Sequence, residues 1–138
     1  MTRHDILLID DNPNDVELAL TALENCNAAE RVTVAPGGPQ AVALLRGMAR
    51  LPSLVLLDLK MPHMDGLDVL DAIRADRRTH NLPVVVLTTS GEESDVQASY
   101  AHGANAYVVK PMDFSEFCET LRVIAAFWAG LNRRPSLN

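Results

Sequence analysis

The sequence predicts an α/β domain, a doubly wound five-stranded parallel sheet in a three-layer sandwich. Two observations carry that expectation. Five short apolar runs alternate with five stretches of helical periodicity along the 138 residues. The polar residues that could do chemistry fall just after four of those runs, where sites of open parallel sheets lie.

"DILLID" (5–10) is apolar and β-branched, as suits a strand covered on both faces. Asn12 can cap the next helix, Pro13 fits its first turn, and Val16, Ala19, Leu20 and Leu23 recur at helical spacing. "RVTVA" (31–35) reads as the second strand and "PGGP" (36–39) as a turn, before a helical face of Val42, Leu45 and Met48/Ala49. The third strand lies within "LPSLVLLDL" (51–59) and ends at Asp58; "MPHMDG" (61–66) is a loop, and Leu67, Leu70 and Ile73 open the third helix. "LPVVVLTTS" (82–90) is the strongest strand pattern. The fourth helix (91–103) has only a thin apolar face, Val96 and Tyr100, and is closed by Gly103. "ANAYVVK" (104–110) is the fifth strand, and a last helix runs from Asp113 to Trp128. Right-handed crossovers put these helices on both sheet faces. Residues 1–130 are expected to form one domain and 131–138 a flexible tail.

Composition narrows the function. A net charge of −6 without a dense Lys/Arg stripe argues against DNA binding. No apolar stretch is long enough to span a bilayer, and the N-terminal apolar run is too short for a signal peptide, so a cytoplasmic protein is expected. Cys26 and Cys118 lie in helix-like patterns with no CxxC, and read as reduced packing residues.

The strand-end residues are Asp10 and Asp11, Asp58, Thr88 and Lys110; nothing comparable follows the second strand, which is expected at an edge. Taken singly, Asp10-Asp11 could be a helix cap, Asp58 a turn residue, Thr88 a strand-end cap and Lys110 a solvated charge. Taken together they offer complementary chemistry. Carboxylates in one crevice need a cation, and an all-oxygen set suits Mg²⁺, with Mn²⁺ as the alternative. Asp58, on the central strand, is the candidate nucleophile toward phosphorus. Asp10 and Asp11 would hold the metal, Lys110 would meet a phosphoryl oxygen, and Thr88 would donate a hydroxyl.

"LLIDDNPND", "LVLLDLKMPHMDG", "PVVVLTTS" and "GANAYVVKPMDF", in this order, resemble the receiver domain of bacterial two-component response regulators, from about residue 3 to 128. The resemblance implies a flavodoxin-like sheet of order 2-1-3-4-5 and Asp58 as phosphoacceptor, loaded by a histidine kinase. It implies that Asp11, Asp58 and the Lys60 main-chain carbonyl ligate Mg²⁺, with Asp10 acting through water. Thr88 and Tyr107 match the family's switch pair, Tyr107 turning from exposed to inward, and the Lys110–Pro111 bond is expected to be cis. Lys60 and Ser90 flank the phosphoryl position and would modulate its hydrolysis. "DNPND", "VVLTTS", "SYAHGANAY" and Phe127-Trp128 are similar to stand-alone regulators that partner bacterial phytochrome kinases.

The last helix carries two apolar stripes. Phe114, Phe117, Leu121, Ile124 and Trp128 are expected to face the sheet; Val123, Phe127 and Leu131 form a second, offset stripe. The second stripe suggests a homodimer through the helix 4/helix 5 face, unless a loop or the tail covers it. Two rival functions fit less well. A phosphatase of the haloacid-dehalogenase type needs an acid where Lys60 stands, and a flavodoxin's phosphate would be repelled by Asp10-Asp11. The expected role is therefore a signalling phosphoacceptor, not an enzyme.

Overall fold

The computed structural model describes residues 5–25 and 31–135. Cys26 lies outside the described residues. Five parallel strands, β1 (Asp5–Ile9), β2 (Arg31–Ala35), β3 (Leu54–Leu57), β4 (Val84–Thr88) and β5 (Ala106–Val109), form one sheet of order β2-β1-β3-β4-β5. Five helices connect or follow them: α1 (Pro13–Asn25), α2 (Gly38–Gly47), α3 (Gly66–Ala75), α4 (Glu93–Ala101) and α5 (Phe114–Ile124). Both the order and the edge position of β2 agree with the sequence expectation.

Strand alternation divides the core in two. Leu7, Ile9, Val55, Leu57, Val84 and Val86 face α2 and α3, meeting Ala41, Leu45, Leu70 and Ile73. Ile6, Leu8, Leu54, Leu56, Val85 and Leu87 face α1 and α5, meeting Ala19, Leu23, Phe117 and Leu121. β3 and β4 are buried along their whole length because they are interior strands covered on both sides.

Two helix expectations need correction. Tyr100 does not form an apolar face on α4; it is 50 % exposed, and the buried residue there is Ser99, whose hydroxyl donates to the Asp95 carbonyl at 2.8 Å. α4 sits against the edge strand β5 and finds little apolar surface to cover. Phe114 is 42 % exposed, leaving Phe117, Leu121 and Ile124 as the buried face of α5. After Ile124 the helix widens into a π segment, Ala125–Leu131, in which Ala125 and Ala129 are buried and the half-buried Trp128 packs against the same core, on the sheet side as expected. Phe127 and Trp128 meet edge to face, 5.0 Å apart. The expected turn at 36–39 is shorter than anticipated, since α2 already starts at Gly38 with Pro39 in its first turn. All peptide bonds among the described residues are trans, including Lys110–Pro111, so the cis expectation is also corrected; for an X–Pro bond the two forms differ by only about 1 kcal/mol. Arg134 donates to the Pro52 carbonyl at 3.2 Å, beyond the end of the π segment.

Two contacts fix the loops that border the carboxyl ends of the strands. The Gly66 amide donates to the Leu59 carbonyl at 2.8 Å, and a Cβ on Gly66 would come within 2.6 Å of the Asp58 carbonyl oxygen and 2.8 Å of the Leu59 Cα. Only glycine lets α3 start this close to the loop after β3. At the far end of α3 the Arg74 guanidinium donates to the carbonyls of His80, Leu82 and Gly103 and to Asn105 Oδ1, at 2.8–3.0 Å. Asn105 Oδ1 also accepts from the Val84 amide, so one side-chain cluster ties α3 to the approaches of β4 and β5.

Replacing Gly66 by alanine should force backbone against backbone. We expect a loss of about 1–3 kcal/mol in urea unfolding, without change in the denaturant slope.

Candidate functional site

The sheet's hydrogen bonding continues one residue past several strands. The Asp10 amide donates to the Ala35 carbonyl (3.2 Å), Asp58 to Ile9 (3.0 Å) and Lys110 to Thr88 (2.7 Å). Each polar residue is therefore held by the backbone of a neighbouring strand at the carboxyl edge. The result is the convergence expected from the sequence: carboxylate oxygens of Asp10, Asp11 and Asp58 all lie within 4.8 Å of one another.

The three acids differ in their commitments. Asp10 is only 3 % exposed; its Oδ1 accepts from the Asn12 amide (3.0 Å) and its Oδ2 from Lys110 Nζ (2.8 Å). Asp58 is half-buried and accepts the Leu59 amide on Oδ1 at 2.9 Å. Asp11 is more open to solvent than Asp10. Asn12 caps α1 as anticipated, accepting the amides of Asn14 and Asp15 on its side-chain oxygen.

Lys110 is not yet turned to Asp58. Its ammonium bonds Asp10 and, at 3.0 Å, Asp15 Oδ2. Burial works against its charge, but the bond to Asp10 and the charges of Asp10, Asp58 and Asp15 outweigh it and raise the pKa, so the ammonium stays protonated. For Asp58 burial dominates and raises the carboxyl pKa; Lys110 pulls it down, the Asp10 charge pushes it up, and the Thr88 hydroxyl and Leu59 amide pull it down. Thr88 is 1 % exposed, and among the described residues its Oγ1 has no partner within hydrogen-bond distance. Its pull on Asp58 is therefore a longer-range one. A buried hydroxyl left unpaired costs stability and suits an oxygen arriving from a ligand.

One lysine cannot neutralise three carboxylates. Two such charges about 5 Å apart repel by roughly 3 kcal/mol at an effective dielectric near 20. All the donors are hard oxygens and sit at a solvent-open edge, a set that fits Mg²⁺ or Mn²⁺. Asp10 has both oxygens engaged, leaving Asp11 and Asp58 as the freer ligands.

A second cluster borders the site. Tyr107 is half-buried, not exposed as first expected, and its hydroxyl donates to the Ser90 carbonyl at 2.7 Å. Burial raises its pKa above the usual phenol value. Ser90 Oγ donates to Asp95 Oδ2 at 2.5 Å, and Lys60 Nζ reaches Asp95 Oδ1 at 3.4 Å. Sequence reasoning missed Asp15 and Asp95. Each sits in the first turn of a helix, where an acid is expected for the helix dipole alone, so no pattern in the chain set them apart. A cavity of about 310 Å³ lies at the opposite end of the sheet beside Asp5, Arg31 and Pro52; among the described residues it holds no cluster of candidate ligands.

Because the ionised Asp58 is disfavoured in the fold, it costs stability above its raised pKa, and this cost disappears as pH falls through that value to the unfolded one. In metal-free buffer at pH 7, Asp58→Asn should raise Tm by about 3–5 °C, and the gain should vanish below about pH 4.

Comparison with known proteins accords with this geometry. Residues 6–122 match the response regulator receiver domain. The chain is 37 % identical to the probable methanogenesis regulatory protein FilR2 of Methanothrix harundinacea, over 94 % of this chain and 86 % of that protein. It is 34 % identical to the response regulator Rcp1 of Synechocystis sp., over 89 % and 87 % of the two chains. Its fold superimposes on the phosphorylated cyanobacterial phytochrome response regulator RcpA with a TM-score of 0.90 at 35 % identity, over 98 % and 100 % of the chains. A Mn²⁺-bound form of Rcp1 superimposes with a TM-score of 0.85 at 32 % identity, over 96 % and 99 % of the chains. The acid cluster at the strand ends and the five-stranded order thus belong together: this chain is a member of the response regulator receiver domain family of two-component signalling.

Proposed function

We propose that this protein accepts a phosphoryl group on Asp58 from a histidine kinase in a Mg²⁺-dependent reaction and signals through protein contacts. The observation that carries this reading is the meeting of Asp10, Asp11, Asp58 and Lys110 with the unpartnered hydroxyl of Thr88 at one edge of the sheet.

In the transfer, an Asp58 carboxylate oxygen attacks phosphorus, the bond from phosphorus to the histidine nitrogen breaks, and its electron pair stays on the imidazole. Asp11, Asp58 and the Lys60 main-chain carbonyl would hold the metal, with Asp10 acting through water. The metal supplies positive charge against the incoming phosphoryl oxygens. Lys110 leaves one of its two carboxylate partners and binds a phosphoryl oxygen, and Thr88 donates its free hydroxyl to another. The movement of Thr88 couples to Tyr107, which is half-buried with its hydroxyl on the Ser90 carbonyl. Phosphorylation then biases the surface of α4, β5 and α5 between two arrangements. Nothing in this scheme turns over a separate substrate, so the protein is a phosphoacceptor that assists its own loading and discharge.

The likeness to phytochrome response regulators favours a phytochrome-type kinase as the donor. The net charge of −6 disfavours DNA. Among the described residues no helix is long and apolar enough to cross a membrane, and we place the protein in the cytoplasm. We assign the second apolar stripe of α5 and its π extension to a homodimer. Val123, Phe127 and Leu131 are exposed, Phe127 at 46 %, and Tyr100 on α4 and Val109 on β5 are exposed as well.

Incubation with Mg²⁺ and acetyl phosphate should add roughly 80 Da, one phosphoryl group, stable to acid and labile to base. Asp58→Asn or excess EDTA should abolish the adduct; uptake by Asp58→Asn would refute the assignment. In light scattering the wild type should show twice the 15.0 kDa chain mass and Phe127→Ala the single mass. Equal dimeric masses would exclude Phe127 from the interface.

A further inference from the structure

Asp95 lies on the first turn of α4, yet its carboxylate does not cap that helix. Both oxygens reach outward, Oδ2 to the Ser90 hydroxyl at 2.5 Å and Oδ1 to the Lys60 ammonium at 3.4 Å. Lys60 follows Asp58 by two residues and Ser90 follows Thr88 by two, so both come from the loops that leave the strand ends carrying Asp58 and Thr88. Ser90 is tied in turn to Tyr107 through its carbonyl. One carboxylate on α4 thus holds two side chains that come from the separate loops after β3 and β4.

We infer that Asp95 is a positioning residue that sets the lifetime of the phosphoryl group by holding Lys60 on α4, away from Asp58. The inference rests on Asp58 as phosphoacceptor. A phosphoryl group on Asp58 adds about two negative charges two residues along the chain from Lys60, and Asp95 then competes with it for the ammonium. Discharge requires a water oxygen to attack phosphorus from the solvent side while the bond to Asp58 breaks. The products are the free carboxylate and inorganic phosphate, and the water proton passes to solvent. A lysine released from Asp95 turns over the phosphoryl oxygens. There it stabilises the phosphorylated ground state and stands in the path of the water, so hydrolysis slows. Asp95 therefore keeps the signal short.

The test compares wild type, Asp95→Asn, Lys60→Met and the double variant. Each is loaded with Mg²⁺ and acetyl phosphate, desalted, and followed by intact mass as the adduct decays, with thermal melts to verify folding. Asp95→Asn should lengthen the lifetime about two- to five-fold, the range open to an exposed ion pair. In the Lys60→Met background the same change should have no effect, which a purely structural role for Asp95 does not predict. A labelled wild type whose lifetime Asp95→Asn leaves unmoved, or an equal effect in both backgrounds, overturns this inference alone. A wild type that takes no label overturns the phosphoacceptor reading and this inference with it.

Discussion

Lys110 brings a single ammonium to a place where β1, the first turn of α1 and the end of β3 all deliver carboxylates, and the balance there governs the rest of the site. It is bonded to Asp10 and Asp15 and feels the charge of Asp58. The positive charge is too small to satisfy all of them. The residual negative potential makes the edge a place for a divalent cation, and with the cation in place it becomes a place for a phosphoryl group. The same shortage acts on Asp58: burial and the charge of Asp10 raise its pKa, and Lys110 only partly offsets them.

This arrangement costs stability locally, and the rigid frame around it absorbs that cost. Interior strands buried on both faces fix the positions of Asp10 and Asp58 through backbone hydrogen bonds, independent of side-chain freedom. Gly66 allows α3 to close on the loop that carries Asp58, and Arg74 locks the opposite end of α3 to the segments leading into β4 and β5. The mobile candidates are then few. α4 buries only Ser99 and is joined to the site by polar contacts of Asp95, Ser90 and Lys60. Polar contacts at a solvent edge are individually weak, so an added charge of the size of a phosphoryl group can rearrange them.

α5 shows how a local irregularity creates surface. The π segment buries Ala125 and Ala129, keeps Trp128 packed against the core, and leaves Phe127 and Leu131 at the surface.

Strand and helix periods, read along the chain, determined the architecture and the edge position of β2, because a strand buried on both faces must be apolar throughout and an amphipathic helix must repeat near 3.6 residues. They also determined which residues meet at the strand ends, because a parallel sheet aligns all its carboxyl ends on one edge. Tertiary structure alone decided what each charge pairs with. Lys110 on Asp15, and Lys60 and Ser90 on Asp95, join residues up to 95 positions apart, and their first-turn acids look like ordinary helix starts in sequence. It also decided the exposure of Phe114 and Tyr100, the trans bond at Lys110–Pro111 and the half-buried Tyr107, since each depends on how closely neighbouring elements approach and none leaves a periodic trace in the chain.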